Sequence, residues 1–496
     1  MENAMTQPTV GISITKLQNE PRAVLTSDMS VVGIVGTAPD ADAGTFPLNT
    51  PVLMFSDDAT MLSELGDDGT LVDALASIGL QLGELQNAVK VVVIRVTEGM
   101  TDDATITNIL GSQSAKTGLW ALAEAGHLVK VQPRLICVPG YTAQTKVGLA
   151  TPVIAAAGTG GTDGTFNLAF TGGTGSGAAG TFTVAGGKVT GVALTNPGVY
   201  SVAPTISLTA SSGLTGASVT VATQQLANPV CAALPAVLNR FLGVAFVSGP
   251  IDTLQNYSNW RGTLSSDRLI PLALGVKVGV DAVVQDAAPF ICAMQAATDF
   301  ENEGVPVKVA GNRPVYGIVG ASRPVNFSLT DGATEGQALL AADGGIIVAG
   351  EAGVETAIAD GGYIYLGATT TSEDSDWKFY NVVRMRDYIH LAMLRTLRFY
   401  LLRFNIVGQT LQAIYNTMEK WLAFLQSKSW IIGFKLSIPV DANTAEQLAA
   451  GAITLLFQAE EPPPLMTINI QSTKYLKAFD AMIQGIQSQL DQVVSS

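Results

Sequence analysis

Residues 89–96, VKVVVIRV, admit one ordinary environment. Their β-branched side chains favour extended backbone, and the continuous run Val91–Ile94 suits a strand covered on both faces. Residues 31–36, VVGIVG, read as a second buried strand; Pro133 to Val138 and GVAFVSG (243–249) read as further strands. Helical patterns lie between them, over 69–88, about 115–126 and 229–240. This alternation predicts a layered α/β core.

The pattern is interrupted once. From Thr151 to Leu226 only Asp163 and Lys188 are charged, while Gly, Thr, Ala and Ser dominate. Short alternating runs such as GTFTVAGGKVTGVAL and APTISLTASS predict strands joined by glycine turns, hence an all-β insertion. A disordered linker is the alternative on composition; the apolar positions Val184, Val189, Val192, Leu194, Ile206 and Leu208 speak against it. Beyond the insertion, helices are expected over 281–297, 377–403 and 409–427. Residues 306–330 read as strand and turn. Strands are expected at 431–438, 453–459 and 465–471, and an amphipathic helix from about Lys474 to Val493. The fold class is therefore mixed, α+β or α/β and multidomain: a layered α/β core, an inserted all-β domain and extended terminal β-strand arms. The boundaries are an N-terminal arm (1–24), a split α/β domain (25–150 and 227–370), the insertion (151–226), a C-terminal domain (371–459) and a C-terminal arm (460–496).

Charged residues make up only 14% of the 496, against about 25% in ordinary soluble proteins. A chain so poor in charge has difficulty covering its own surface, and burial against other subunits is the simplest resolution. Membrane insertion competes. The most apolar helical stretch, Tyr388 to Val407, is interrupted by Arg395, Arg398 and Arg403, and no run approaches the ~18 uncharged apolar residues of a spanning helix. Met1 to Val10 has neither the basic start nor the apolar core of a signal peptide. A net charge of −14 argues against direct nucleic-acid binding. Cys137, Cys231 and Cys292 are too far apart for a metal-binding spacing, and three make no disulfide framework. Synthesis in a reducing cytoplasm fits.

Catalytic patterns are missing. His127 and His390 have no partner pattern and read as structural side chains. GSQSAKT (111–117) has the look of a phosphate loop, but Ala115 replaces the second glycine and the spacing is one residue short. No carboxylate pair stands out. The chain is expected to be no enzyme and to need no cofactor or metal.

The two ends are more informative. In QPTVGISITKLQN (7–19), Val10, Ile12 and Ile14 share one face before Pro21; in LMTINIQ (465–471), Met466, Ile468 and Ile470 do so after Pro462, Pro463 and Pro464. A tethered strand leaves its backbone groups unpaired until it joins a sheet edge. That edge can belong to another subunit, or each arm can fold back on its own domain.

At this point the residues resemble a known family. GISITKLQNEPRAV, VVGIVGTAPDAD and FPLNTPVLM in succession are similar to the opening of contractile-tail sheath proteins of the phage P2 group. TGLWALAEAG with VKVQPRLICVPGY, then NRPVYGIVGASRPVNFSL, then WKFYNVVRMRDYI, continue the order. So does IIGFKLSIPVDANTAEQLAAGAITLLFQAEEPPPLMTINIQ, a strand, a proline-rich joint and a final strand. The resemblance spans nearly the whole chain except 151–226. YLGATTTSEDSDW and LLFQAEEPPP depart from the family's usual local pattern.

The resemblance implies a subunit that stacks as hexameric rings around an inner tube protein and whose arms add strands to neighbouring sheets. It also implies contacts with baseplate and tail-terminator proteins, and assembly in the host cytoplasm into a virion tail. Contraction would drive the tube through a cell envelope without nucleotide hydrolysis. Phage tails, phage-like bacteriocins and other injection machines share these features; a surface-layer or adhesin subunit is the rival reading. The C-terminal domain would face the tube and the insertion would face outward. On helix 377–403, Arg384, Arg395 and Arg398 fall on one face at 100° per residue. Arg395, Arg398 and Arg403, with Gln409, Gln412, Asn416 and Lys420 on the next helix, are the tube-facing candidates. Pairing of these arginines with carboxylates of neighbouring subunits is the alternative. Cys231, at the boundary after the insertion, is expected to be the most exposed thiol and a candidate for an inter-subunit disulfide.

Overall fold

The computed structural model describes residues 24–85, 87–208 and 212–494. They divide into two units, one ending at Pro462 and one beginning at Pro463.

The first unit is built on a six-stranded sheet. Strands β1 (Val32–Thr37), β2 (Pro51–Phe55), β3 (Lys90–Val96) and β4 (Leu135–Cys137) are joined by β13 (Val244–Ser248) and β14 (Leu269–Leu272). The spatial order is β14-β13-β4-β1-β3-β2, parallel throughout except for β2. The crossovers carry helices to both faces: α1 (Ala59–Ser63), α2 (Thr70–Gly83), α3 (Asp102–Leu110), α4 (Ala125–Leu128), α5 (Pro229–Phe241), α6 (Leu254–Arg261) and α7 (Ala288–Glu301). The apolar run Val91–Ile94 of β3 follows from this. Val91 and Val93 pack on the face holding α2 and α7; Val92 and Ile94 pack on the face holding α3 and α5. Each such buried side chain contributes about 1.5–3 kcal/mol, so a charge on either face would be costly.

The end of β1 is tied to the start of α2, 33 residues on, by reciprocal bonds. Thr37 N–H donates to Thr70 Oγ1 (3.0 Å) and Thr70 N–H to Thr37 Oγ1 (3.3 Å). Gly69 sits between at φ 106°, where a Cβ would lie 2.4 Å from the Thr37 carbonyl oxygen; only glycine fits. The helix expected near 115–126 is a 3-10 turn, Gly118–Glu124, continuing into α4.

After β4 the chain leaves the core as a series of strands: β5 (Lys146–Leu149), β6 (Val153–Thr159), β7 (Gly164–Thr171), β8 (Thr174–Ala185), β9 (Lys188–Val202), β10 (Thr205–Leu208), β11 (Thr215–Thr220) and β12 (Thr223–Leu226). β5 pairs with β12 at the base, β6 with β11, and the rest form a sheet in the order β10-β7-β8-β9. Leu168, Phe182, Val184, Val189, Ile206 and Val219 bury a small separate core.

Short strands follow: β15 (Val276–Val278), β16 (Val283–Gln285), β17 (Arg313–Pro314), β18 (Gly320–Ala321), β19 (Ile346–Ala349) and β20 (Tyr363–Leu366), with helix α8 (Glu335–Ala341). Two long helices then lead to a two-stranded sheet: α9 (Tyr380–Leu397), α10 (Gly408–Ser427), β21 (Gly433–Ser437) and β22 (Leu456–Glu460), with α11 (Ala445–Ala449) between the strands. The helix expected over 377–403 stops at Leu397, where Phe399, Tyr400 and Phe404 gather into an aromatic cluster and Leu402 turns the chain at φ 59°.

The second unit contains helix α12 (Lys477–Val494). The strand expected at 465–471 is not formed among the described residues; Leu465, Met466, Ile468 and Ile470 are all exposed. Alternation encodes the capacity to pair, but pairing needs a second edge, and none is supplied here.

Candidate subunit-linking site

Helix α9 is buried on nearly all sides over its first half, although its sequence YNVVRMRDYI carries three charges. Charges in such a place must be paired. Arg384 is bidentate to Asp299 of α7 at 3.0 and 2.5 Å, both side chains being inaccessible to solvent. Asp387 is held by both terminal nitrogens of Arg268. Arg386 is bidentate to Glu461 at 2.7 and 2.9 Å, and its guanidinium lies over the rings of Trp377 and Phe457.

These contacts do more than neutralise charge. Arg384 Nη2 also donates to the Met29 carbonyl at 2.9 Å, and Arg395 Nη1 donates to the Thr26 carbonyl. Leu25 N–H donates to Thr396 Oγ1 at 3.2 Å. One row of α9 side chains therefore holds residues 25–29. A second row holds the other end of the chain. Asn381 Nδ2 donates to the Pro462 carbonyl at 3.0 Å, and Arg386 Nη2 to the Ala459 carbonyl at 2.7 Å. Residues 25–29 and 459–462 are thus held by the same helix.

α9 ends at Leu397, so Arg398 caps the helix, and the three arginines expected on one face have different surroundings. Arg384 is buried on Asp299 and Met29, and half-buried Arg395 lies on Thr26 and Ser27. Arg398 and Arg403 are exposed, Arg403 stacking on Phe399 at 4.5 Å. On α10, Ile414, Met418, Trp421, Leu422 and Leu425 face inward. Gln409, Gln412, Asn416 and Lys420 form a polar stripe on the other side, Gln412 donating to Asn416 at 3.1 Å. Val10, Ile12 and Ile14 lie outside the described residues.

The expectation of an exposed Cys231 is corrected. Its thiol is fully buried, with Thr142 O at 3.5 Å, and burial pushes its pKa up. Asn228 and Pro229 mark the cap and first turn of α5 rather than a loop: Asn228 Oδ1 accepts from Val230 and Cys231 N–H. That places Cys231 on the apolar face with Leu234, Val237 and Leu238. In this conformation it cannot reach another chain. Cys137 and Cys292 are buried as expected.

Residues that sequence reasoning did not single out are Asn381, Arg386, Thr396 and Glu461. Two acids directly before three prolines, and arginines two apart on an apolar helix, were the available signals.

A cleft of about 540 Å³ lies at the carboxyl ends of β4 and β13, lined by Gly140, Ser248, Asp252, Asn256 and Asp286. The Asp286 carboxylate already accepts from Ser248 Oγ, Gly140 N–H and Ala288 N–H, so it has no base's freedom. Among the described residues no group of three or more His, Cys, Asp or Glu could hold a metal, and no helix is long and apolar enough to cross a membrane.

No protein-family model matches the chain. The tail sheath protein of Escherichia phage P2 is 36% identical over 150 residues, covering 28% of this chain and 36% of that protein. The major tail sheath protein of Serratia phage KSP20 is 37% identical over 123 residues, covering 24% and 30%. The chain thus matches about a third of the length of these two. A putative prophage major tail sheath protein of Pseudomonas aeruginosa (strain UCBPP-PA14) is 24% identical over 472 residues, covering 93% of this chain and 95% of that one. Among solved structures, the sheath complex of the PVC extracellular contractile injection system, contracted, superposes with a TM-score of 0.56 at 11% identity, covering 96% and 99%. The contracted helical sheath of the anti-feeding prophage gives 0.53 at 12%, covering 94% and 99%. In sequence the chain is similar to tail sheath proteins, which its own motifs resemble, and in fold it is similar to the sheaths of contractile injection systems.

Proposed function

We propose that this chain is a structural subunit of a contractile sheath, a non-enzymatic protein that polymerises with itself around an inner tube. The observation that carries the reading is the common anchorage of residues 25–29 and 459–462 on α9. A subunit tied to its neighbours through two arms must transmit load between them, and one rigid helix gripping both roots does this with little strain in the core. The second unit supports the reading. On α12, Phe479, Met482, Ile483, Ile486, Leu490 and Val493 recur at three- and four-residue spacing and are all exposed. A stripe of that kind marks an interaction surface.

In this reading subunits stack as six-fold rings, and the segments around Val10–Ile14 and Met466–Ile470 add strands to neighbouring sheets. Arg398 and Arg403, with the α10 stripe, meet an acidic tube, and the insertion faces outward. Baseplate and tail-terminator proteins cap the polymer in a phage-like particle. Contraction is a repacking of bistable interfaces that releases energy stored at assembly. Negative-stain microscopy of the purified chain tests this. Tubes or rings are expected from the full chain, and a folded but non-polymerising protein from the chain lacking 463–496. Long tubes from the truncated chain would refute the arm assignment; monodisperse full-length protein would refute the whole reading.

A further inference from the structure

Two surfaces of this chain are apolar and open to solvent. On α12, Phe479, Ile483, Ile486 and Leu490 are 61%, 58%, 49% and 60% exposed. Their spacing of four, three and four residues keeps them on one face. The helix holds one base, Lys477, against Asp480 and Asp491, so it lacks the basic face with which amphipathic helices lie on membranes. The second surface is where α10 ends. Phe424 and Trp430 meet edge to face with ring centroids 6.0 Å apart, and the Lys428 ammonium lies over both rings at 5.8 and 5.7 Å. Phe424 is 46% exposed and Ile432 61%. Ile432 directly precedes β21, and its N–H is bonded to the Glu460 carbonyl at 2.7 Å, so this surface abuts the β21–β22 pair. Lys428 has Glu303 at 3.5 Å, but both side chains are exposed. Such a pair contributes little and leaves the ammonium free to meet a further carboxylate.

We infer that α12 of one copy docks on the Phe424, Trp430 and Ile432 surface of a second copy. The choice of occupant follows from reach and charge, and it rests on the sheath reading, in which residues 465–471 join a sheet of another copy. The outer edges of β21 and β22 carry no further strand among the described residues. A strand added there leaves five residues, 472–476, before α12 begins. They span about 17 Å at most, so α12 is delivered beside this surface. Asp480, about 60° round the helix from Ile483, then brings a carboxylate to the side of the stripe that can meet Lys428. The contact is head-to-tail, α12 against a different surface rather than against another α12, and contacts of that kind repeat identically through a polar stack of rings.

The test uses the full chain. Ile483→Asp and Phe424→Asp should each leave the melting temperature unchanged, because both side chains are exposed. Each should raise the protein concentration needed to polymerise by about tenfold, equivalent to about 1.4 kcal/mol. Together they should lose no more than either alone, because one contact can be lost only once. Cysteines read the pairing directly. The native thiols are buried, so Ile483→Cys or Ile486→Cys, prepared separately from Phe424→Cys and then mixed under mild oxidation, should give a covalent pair with one copy of each, which reductant separates. Such a bond needs Cα atoms within ~7 Å. Losses that add, no loss from Ile483→Asp, or no cross-link from either α12 cysteine would overturn the docking. So would Ile483→Cys linking to itself, which would make α12 its own partner. Flotation of the parent, but not of Ile483→Asp, with anionic phospholipid vesicles would make lipid the occupant and overturn it too. The sheath reading fails separately. A parent that forms no tubes, while the two variants still cross-link, loses the sheath and keeps the docking; tubes with additive losses do the reverse. A parent that stays monomeric at every concentration overturns both.

Discussion

Replacing Glu461 by Gln should loosen the root of the C-terminal segment without unfolding the body. Glu461 is 3% exposed and takes two charge-assisted bonds from Arg386. The substitution keeps shape and one acceptor but removes the charge. Breaking a fully buried pair costs about 3–5 kcal/mol. Here the remaining cation is less trapped: the Arg386 side chain is 22% exposed, keeps its bond to the Ala459 carbonyl, and stacks on Trp377 and Phe457. The expected loss is therefore about 1.5–3 kcal/mol, the range of hydrogen bonds to charged groups. It should appear locally, because among the described residues β22 pairs only with β21, and Ile432 N–H is bonded to the Glu460 carbonyl. Native-state hydrogen exchange reads this directly. Protection in β21 and β22, Ile432 included, should fall by about ten- to a hundredfold, at 1.4 kcal/mol per tenfold, while β1 and β3 stay unchanged. Protease cleavage within 463–470 should accelerate in parallel. Unchanged exchange in β22 would show that Arg386 and Glu461 do not hold the root. Equal loss throughout the chain would show that the pair belongs to the global core.

Two further outcomes follow from the site. Arg398→Glu and Arg403→Glu should leave melting within about 0.5 kcal/mol, as surface substitutions do, and should weaken co-sedimentation with an acidic tube in a salt-dependent way; tube binding unchanged in both would remove that contact. Cys231 should resist a thiol reagent in the folded chain and react only on unfolding, with no covalent oligomers on non-reducing gels of assembled particles; rapid labelling of the native chain at Cys231 would contradict its burial.

The central sheet was legible because burial on both faces leaves a one-dimensional trace. No polar residue can alternate into Val91–Ile94 when Val91 and Val93 meet one layer and Val92 and Ile94 the other. The α10 stripe was legible for the same reason, since its polar and apolar faces follow helical periodicity alone. Cys231 was misread because Asn228 and Pro229 are ambiguous locally: they begin a loop or cap a helix, and packing against Leu234 and Leu238 decides which.

On α9 the division is clearest. The sequence by itself determined a helix with arginines on one face, and terminal segments able to pair as strands. It did not determine which way that face points. The partners of Arg384, Arg386 and Asp387 are Asp299, Glu461 and Arg268, separated in sequence by 85, 75 and 119 residues. No local pattern records such pairings; they exist only once the topology brings α7, β22 and the approach to β14 against one helix. An arginine's charge is a property of the residue, but whether it faces solvent, a partner or a buried carboxylate depends on what the fold places within about 4 Å of it, the distance at which Coulomb attraction and hydrogen bonding can outweigh hydration.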